Sequence, residues 1–482
     1  MNKNIIKEFE SELLLPANLN IEKLSSFHEV IHVKQIDYSD LYFQLLNREL
    51  FLMEDGQIKR SNFKIKSGVG VRAICGERVG FSSINGISDE GLLEACKIVR
   101  NVSHSMQRKN VSLNSKNIVY NPYGKYFNVL NEIPNSKKIS ILEEIYFSAR
   151  RLSHKVSKVT ASLSATDETV LISGSDETLA IDMRPFIQLN ITITVKDGCQ
   201  QSKGMAGFSC NNYKQFENEN LDEYIIKAVN HALIGLVAEP TPVGTMPVIL
   251  GSGWPGILLH ESVGHGLEGD AVYKGKSFFK GKKGEKIAAA GCTVVDGPFS
   301  DNNKSFFHLD DEGVNKKATV LIEDGVLKNY MHDKHSALLM KTQSTGNGRR
   351  ESYAHKPLTR MTSTYMLPGS YSPEEIIASV SKGIYATNFN GGEVDVTSGK
   401  FVFFANEVFL IEKGKITAPL NGAMLMGDGP TILKNIQMLG NDLKFDDGIG
   451  MCGKDGQYVS ARVGQPTMLI NELTVGGTNF GK

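Results

Sequence analysis

The sequence lacks the features of several protein classes. None of its apolar runs reaches the roughly 18–20 uninterrupted residues of a membrane helix, because glycine, serine and proline interrupt the most apolar stretch, residues 246–259. The N-terminus is polar and carries both charges, so we expect no secretory signal. Lys+Arg and Asp+Glu both number 53, and this balance argues against a protein built mainly to bind nucleic acid or an anionic membrane.

Cysteine is also scarce. The six cysteines are scattered along 482 residues rather than spaced as a disulfide framework, which predicts reduced thiols and a cytoplasmic location. Apolar residues make up 41% of the chain and charged residues 22%. That composition supplies a sizeable core and argues against wholesale disorder. The length corresponds to about two or three domains.

Helix and strand patterns alternate over the first half of the chain. Ser88 precedes apolar residues at helical spacing, and this pattern predicts a helix. Further amphipathic helices are predicted over residues 137–156 and 222–236. Residues 68–71 and the segment after them predict short strands and turns, and the alternation over residues 186–195 predicts a half-buried strand.

The pattern changes at residues 240–247, where three prolines and a glycine cannot continue a helix and predict a domain boundary. Beyond it, Asp324-Gly325 predicts a hairpin turn between two strands, and residues 401–411 predict another strand. One helix should interrupt the strands, because Ser372, Pro373 and Glu375 match an N-cap, a first-turn proline and a capping box.

These patterns together predict an α+β fold. We expect a mixed α/β N-terminal half over residues 1–240, with a further break near residues 115–135, and a largely antiparallel β C-terminal half over residues 247–482.

One segment contains residue types that are typical of a catalytic metal site. His260, Glu261 and His265 form His-Glu-x-x-x-His. Zinc binds neutral imidazoles and in catalytic sites keeps an open position for water. A glutamate beside a ligand histidine can accept a proton from that water.

The spacing of this motif is unusual, because the familiar zinc motif is His-Glu-x-x-His with both rings on one helix face. At five residues apart, the rings of a regular α-helix diverge by about 140°. A π-type widening of the helix would bring them back together. Gly264 and Gly266 flank the second histidine, and we expect them to ease the distortion or the end of the helix.

A zinc site needs a third ligand. Cys452, within a glycine-rich segment, offers a thiolate, although an isolated cysteine is also a common buried core residue. Further candidates by composition alone are His308, Asp310, Asp311, His332 and His335, and such residues more often lie in ordinary turns and surfaces.

The motif HESVGHGLEGD, preceded by GWPGILL, resembles the zinc motif of the TldD/PmbA (TldD/TldE) metalloprotease family. The resemblance extends from DYSDLYFQ and GVGVRAICGE near the start to GNDLKFDDGIGMCGKDGQ and VGQPTMLINELTVGGT near the end, and so covers essentially the whole chain. Only the TldD branch of the family keeps the two histidines, and this chain keeps them. Ser262 stands where alanine is common, a departure that leaves the chemistry untouched.

The resemblance implies a function. It identifies His260, His265 and Cys452 as zinc ligands and Glu261 as the catalytic glutamate. It also implies a cytoplasmic heterodimer with a TldE/PmbA-type chain that degrades unfolded peptides. The extended peptide would reach the metal through a channel and pair by its backbone like an added strand.

We therefore predict a zinc-dependent peptidase that hydrolyses unfolded or extended peptides, with Glu261 as general base on a zinc-bound water. Arg349, Arg350, Tyr353 and His355 form a polar segment that could supply an oxyanion donor. The first alternative is a non-catalytic peptide-binding regulator with structural zinc, although a structural site does not need Glu261. The second is a factor associated with DNA gyrase, and the neutral charge gives no support for direct nucleic-acid binding.

Overall fold

The computed structural model describes residues 9–107, 109–111, 113, 119–120, 128–298, 308–448 and 450–477. The first part of the chain forms a seven-stranded sheet in the order β3-β2-β1-β5-β6-β4, with β7 also paired to β6. Its strands are β1 (Tyr38–Glu54), β2 (Gln57–Cys75), β3 (Arg78–Asn85), β4 (Val119–Tyr120), β5 (Val156–Gly174), β6 (Leu179–Asp197) and β7 (Gln200–Cys210). All pairs are antiparallel except the short pairing of β4 with β6.

Helices cover one face of this sheet. They span Ile21–Ile31, Asp89–Val99, Asn135–Leu152, Tyr213–Asn218 and Leu221–Leu236. The three helices predicted from the sequence are among them, and Ser88 caps its helix by accepting a hydrogen bond from the backbone N–H of Gly91. Side chains two apart point to the same face of a strand, so Leu41 and Phe43 of β1 pack under the first two helices. Phe51 of the same strand packs with the helices of residues 135–152 and 221–236.

The opposite face of the sheet contacts the second part of the chain through buried ions. Arg72 donates to Asp40 at 2.6 Å and to Glu312 at 2.6 Å, and all three side chains are essentially inaccessible. Arg350 donates to the other oxygen of Asp40 at 3.1 Å. This network joins the sheet to the second part of the chain, and removing any one member would leave an uncompensated buried charge.

The second part of the chain is built on two larger sheets. The first has the order β15-β8-β24-β18-β16-β17, with β19 on β24, and β15 also pairs with β16, so the sheet closes on itself. The second has the order β11-β10-β9-β14-β23-β20, and β12-β13 and β21-β22 are two-stranded. Most pairs are antiparallel; β8 with β15 and β14 with β23 are parallel.

The bounds of these strands are as follows: β8 Gly244–Leu250, β9 Val294–Asp296, β10 Thr319–Glu323, β11 Val326–Leu327, β12 Gly348–Arg349, β13 Leu358–Thr359, β14 Ser363–Met366, β15 Lys382–Val394, β16 Lys400–Glu412, β17 Lys415–Leu420, β18 Ala423–Asp428, β19 Ile436–Leu439, β20 Lys444–Phe445, β21 Met451–Lys454, β22 Gln457–Ser460, β23 Arg462–Gln465 and β24 Met468–Gly476.

Two local predictions for this part of the chain, a hairpin turn and a helix capping box, are confirmed. Asp324 and Gly325 both have positive φ between β10 and β11, as a two-residue hairpin turn requires. Ser372 and Glu375 form the predicted capping box. The expectation of a single helix was wrong, because short helices also occur at Gly269–Tyr273, Lys334–Leu339 and Gly429–Lys434. These helices are five or six residues long, too short for a periodic pattern to stand out.

The α+β class and the antiparallel C-terminal sheets are confirmed. The domain boundary at residues 240–247 stays a prediction, and most of the expected break at residues 115–135 lies outside the described residues. None of the helices in the described ranges combines the length and hydrophobicity that crossing a membrane requires.

Candidate metal centre

The segment with the two histidines is a helix of changing pitch. We call residues 254–267 the motif helix. It begins as a 3₁₀ turn at Trp254–Gly256, continues as an α turn at Ile257–Leu259, widens to a π turn at His260–Gly264 and tightens to a 3₁₀ turn at His265–Leu267. The N–H of His265 donates to the carbonyl oxygen of His260. This five-residue hydrogen bond confirms the π widening predicted from the spacing.

The two glycines of the motif have a steric rather than a conformational role. Gly264 has φ −57° and ψ −52°, an ordinary right-handed helical conformation, so the expectation that it eases the distortion was wrong. A Cβ atom at Gly264 would lie 2.0 Å from the sulfur of Met361, and one at Gly266 would lie 2.8 Å from the ring of Phe279. Glycine is needed because the helix packs this closely on its neighbours.

Apolar side chains hold the motif helix in the C-terminal core. Leu258, Leu259 and Val263 are at most 3% exposed and belong to the large cluster that includes the closed sheet. The core therefore fixes the helix from which the two histidines project.

The cysteine reaches the helix from a hairpin. Cys452 lies on β21, which pairs with β22 through a turn at Asp455 and Gly456. Alternate residues of a strand point the same way, so Cys452 and Lys454 both face the motif helix. Arg360, fully buried, donates to the carbonyl oxygen of Cys452 at 2.6 Å and fastens the hairpin in this position.

Three side chains converge between helix and hairpin. The ligand atoms of His260, His265 and Cys452 all lie within 4.8 Å of one another, and all three residues are buried. Cys452 Sγ is 3.4 Å from His265 Nε2, and the two imidazole rings stand nearly perpendicular with centroids 5.2 Å apart. Among the described residues, this is the one group of three or more potential ligands so closely placed.

The chemistry of this group fits a zinc ion. Both ring nitrogens of His260 are buried and have no hydrogen-bond partner apart from the Cys452 thiol among the described residues, so at least one nitrogen is left unpaired, at a cost of about 1–3 kcal/mol unless a ligand satisfies it. Burial raises the pKa of the Cys452 thiol, but His260 and His265 outweigh burial and lower that pKa from 9.0 to about 4. Two imidazoles and a thiolate match in number and type the three protein ligands that catalytic zinc sites use.

A buried carboxylate orients His265. Glu268 Oε1 lies 3.2 Å from His265 Nδ1. A carboxylate only accepts hydrogen bonds, so Nδ1 carries a proton and Nε2 faces the thiol. Lys454 donates to Glu268 at 2.7 Å and to Asp270 at 2.8 Å. Burial alone would raise the pKa of Glu268, but Lys454 and His265 lower it to about 2.

Glu268 and Lys454 escaped the sequence analysis, although each carries a local signal. Glu268 follows His265 by three residues, and Lys454 follows Cys452 by two. Their contact, however, joins positions 186 residues apart, and no spacing along the chain predicts it.

Glu261 lies beside the three converging side chains and borders the cleft. Its side chain is 18% exposed, and its Oε2 lies 3.6 Å from His265 Nε2. The cleft has two arms, and Glu261, Gly392 and Met451 line both of them.

We name the two arms by their lining. The tryptophan arm is lined further by Met205, Ala206, Gly207, Lys227, Trp254, Ile257, Asn388, Phe389, Asn390, Gly391, Asn406, Asp446, Asp447 and Gly450. The charged arm is lined further by His265, Glu268, Asp270, Ala271, Lys274, Lys276, Glu393, Val394, Val396, Thr397, Gly453, Lys454, Asp455, Gly456 and Tyr458.

The other residues considered as ligands lie elsewhere. They are His308, Asp310, Asp311, His332 and His335. Within the described ranges, none of them joins the three converging side chains. Asp311 accepts from Arg184 at 2.6 Å, and His335 Nε2 is 3.0 Å from the carbonyl oxygen of Gly76.

The polar segment considered as an oxyanion donor is engaged in structural contacts. Arg349 donates to the carbonyl oxygens of Met361 and Ser460. Arg350 belongs to the buried ion network, and Tyr353 donates to Asn85 at 2.9 Å. His355 lies 2.9 Å from the hydroxyl of Ser352. We therefore assign none of the four to the metal centre.

Known protein families and relatives match this chain over nearly its whole length. The model for the PmbA/TldA metallopeptidase C-terminal domain matches residues 243–477, domain 1 of the same metallopeptidase matches residues 39–103, and its central domain matches residues 128–236. The metalloprotease TldD homolog of Haemophilus influenzae is 44% identical over 483 residues, which is 98% of this chain and 100% of the relative.

Two further relatives extend the comparison. The zinc metalloprotease TldD homolog of Saccharolobus solfataricus is 26% identical and aligns over 90% of this chain and 95% of its own length. The solved structure of TldE from Thermococcus kodakarensis has a TM-score of 0.71 at 20% identity and covers 95% of this chain and 100% of its own. At that identity the likeness shows the fold alone. With three matching domain models and a full-length relative at 44% identity, the chain belongs to the TldD branch of the TldD/PmbA metallopeptidase family.

Proposed function

We propose that this chain is a zinc-dependent peptidase that hydrolyses peptide bonds of unfolded or extended peptides. The observation that carries the proposal is the position of Glu261. It follows one candidate ligand directly, lies 3.6 Å from the other imidazole, and opens to the cleft while the ligands are buried. A purely structural metal site does not require a carboxylate in that place.

His260, His265 and Cys452 would hold the ion, and Glu268 would keep His265 in the tautomer that presents Nε2. A bound zinc ion supplies Lewis-acid polarisation of water and of the scissile carbonyl. The remaining chemistry belongs to the side chains. Burial of the three ligands excludes bulk water from their side of the site, and the cleft admits substrate on the side of Glu261.

Glu261 would act as general base and then as general acid. In its ionised form the carboxylate accepts a proton from the attacking water while oxygen adds to the scissile carbonyl carbon. The same carboxyl group then gives the proton to the leaving amine as the C–N bond breaks. The base is regenerated, and a carboxylic acid and an amine are released.

The cleft supports a substrate that extends past the scissile bond in both directions, because its two arms meet at Glu261. A folded domain cannot enter such a groove, whereas an extended chain can. We further propose that the chain works in the cytoplasm with a TldE/PmbA-type partner. The likeness to a TldE structure supports a shared fold for the two partners.

The test is Glu261→Gln, which keeps the size of the side chain and removes the base. Peptide cleavage should fall by about 10²–10⁴-fold, while zinc content and thermal melting stay at wild-type values because Glu261 is not a ligand. Chelation of zinc should abolish cleavage in the wild type, and added zinc should restore it.

Glu323→Gln is the matched control, since it makes the same change on an exposed carboxylate that pairs with Lys328 on the surface. It should cleave like the wild type. If Glu261→Gln also cleaves at the wild-type rate, Glu261 is not the base, and a non-catalytic regulator with structural zinc becomes the better explanation.

A further inference from the structure

The two arms of the cleft differ in chemistry. The tryptophan arm presents Trp254, Ile257 and Met205, and it shares Met451 with the charged arm. Two of its charged residues, Lys227 and Asp447, pair with each other at 2.8 Å. Met205 is 52% exposed and Met451 is 59% exposed, so both offer apolar surface to a ligand. Methionine side chains adapt to apolar groups of different shape.

The position of Trp254 is fixed. Its indole N–H donates to the carbonyl oxygen of Phe389 at 2.8 Å. The ring packs so closely on Gly450 that a Cβ there would lie 3.0 Å from it. A preorganised aromatic ring binds an apolar group with little loss of side-chain entropy. Ile257 lies one helical turn before Glu261, so this apolar surface continues to the proposed base.

The charged arm lies beyond Glu261 on the other side. It is lined by the charged side chains of Lys274, Lys276, Glu393 and Asp455 and by Lys454 with its two carboxylate partners, Glu268 and Asp270. An apolar side chain placed there would remove water from charged groups without replacing their hydrogen bonds, which is unfavourable. The same side chain in the tryptophan arm would bury apolar surface of both molecules, which is favourable.

We propose that the tryptophan arm is a side-chain subsite for an apolar residue adjacent to the scissile bond. This inference rests on the proposed peptidase function and adds a specificity to it. A leucine, methionine or phenylalanine on that side of the scissile bond would pack against Trp254, Ile257 and Met205, while the substrate on the other side runs past charged and polar groups. Cleavage should prefer such bonds by roughly 10- to 100-fold in kcat/KM.

Two blocked peptides test the subsite. Both are acetylated, amidated and built of serine and glycine, and one carries a single central leucine where the other carries asparagine, which has nearly the same size. With the TldE-type partner present, mass spectrometry should show cleavage next to leucine and little next to asparagine. Met205→Ser should reduce the leucine preference by at least about threefold, whereas Met106→Ser, on a distant and 76% exposed methionine, should preserve it.

Binding provides a readout that does not need turnover. Trp254 is the single tryptophan of the chain, so its fluorescence reports occupancy of this arm. In the Glu261→Gln variant without partner, the leucine peptide should change the fluorescence at a lower concentration than the asparagine peptide. Met205→Ser retains Trp254 as the fluorophore, and it should reduce the difference between the concentrations at which the two peptides change the fluorescence.

The outcomes separate the two proposals. Equal cleavage and equal binding of the two peptides, or a leucine preference untouched by Met205→Ser, would overturn the subsite and leave the peptidase in place. Absence of cleavage in the wild type would contradict the peptidase, while the fluorescence titration would still decide whether the arm selects an apolar side chain.

Discussion

Replacing Glu268 by glutamine should weaken zinc binding by roughly 10- to 100-fold, the usual effect of losing a carboxylate that orients a metal-binding histidine. Glu268 accepts a hydrogen bond from His265 Nδ1 at 3.2 Å and another from the ammonium group of Lys454 at 2.7 Å. Its side chain is 2% exposed. The glutamine side chain has the same shape but no charge. Its NH₂ group would have to face either the Nδ1–H of His265 or the ammonium group of Lys454, and neither can accept a hydrogen bond.

The magnitude follows from these contacts. A hydrogen bond to a charged group contributes about 1.5–3 kcal/mol, and 1.4 kcal/mol corresponds to a factor of ten in affinity. Loss of the bond that holds His265 therefore accounts for the expected range. In the double variant Glu268→Gln with Lys454→Met, the amide no longer faces an ammonium group. The effects of the two substitutions on the free energy of zinc binding should therefore not be additive.

The assay is competition for zinc between the metal-free protein and a chromophoric chelator, with thermal melting as a check on folding. Asp270→Asn is the matched control, because Asp270 also accepts from Lys454 at 2.8 Å but makes no hydrogen bond with His265 in the described part of the chain. If Glu268→Gln bound zinc as tightly as the wild type, or if Asp270→Asn weakened binding equally, orientation of His265 would not be the cause.

Three further outcomes are expected. Cys452→Ala should lower zinc content without unfolding the chain, and full occupancy by elemental analysis would contradict its role as a ligand. Gly264→Ala should lower the melting temperature, because the new Cβ would lie 2.0 Å from the sulfur of Met361, and Met361→Ala should recover part of the loss. Peptide cleavage should rise when the TldE-type partner is added, and an isolated chain that is equally active would rule out an obligate heterodimer.

Local signals predicted the elements whose geometry depends on adjacent residues. The five-residue spacing of His260 and His265 predicted a π turn, and Ser372 and Glu375 predicted their capping box. The long strands were underestimated. β2 has 19 residues and begins at Gln57, yet the sequence predicts strand only from residue 68 onwards. Its first half is largely exposed and its second half is buried, so no single periodicity describes the whole strand.

Contacts between distant segments could not be predicted in the same way. Asp40, Arg72 and Glu312 form one buried cluster, and each alone is an ordinary charged residue in the sequence. The same holds for Lys454 beside Glu268. Gly264 shows a related limit, because the residue type was informative but the reason lies in Met361, which is distant in the chain.

The contacts that anchor the centre are separate from its candidate ligand atoms. Leu258, Leu259 and Val263 anchor the motif helix in the C-terminal core, and Arg360 anchors the hairpin that carries Cys452. Neither anchor uses a ligand atom. The contacts that position the two histidines and the thiol therefore leave their ligand atoms to the proposed ion. Glu261 follows His260 in the same π turn, and its side chain is partly exposed at the cleft while both imidazoles are buried.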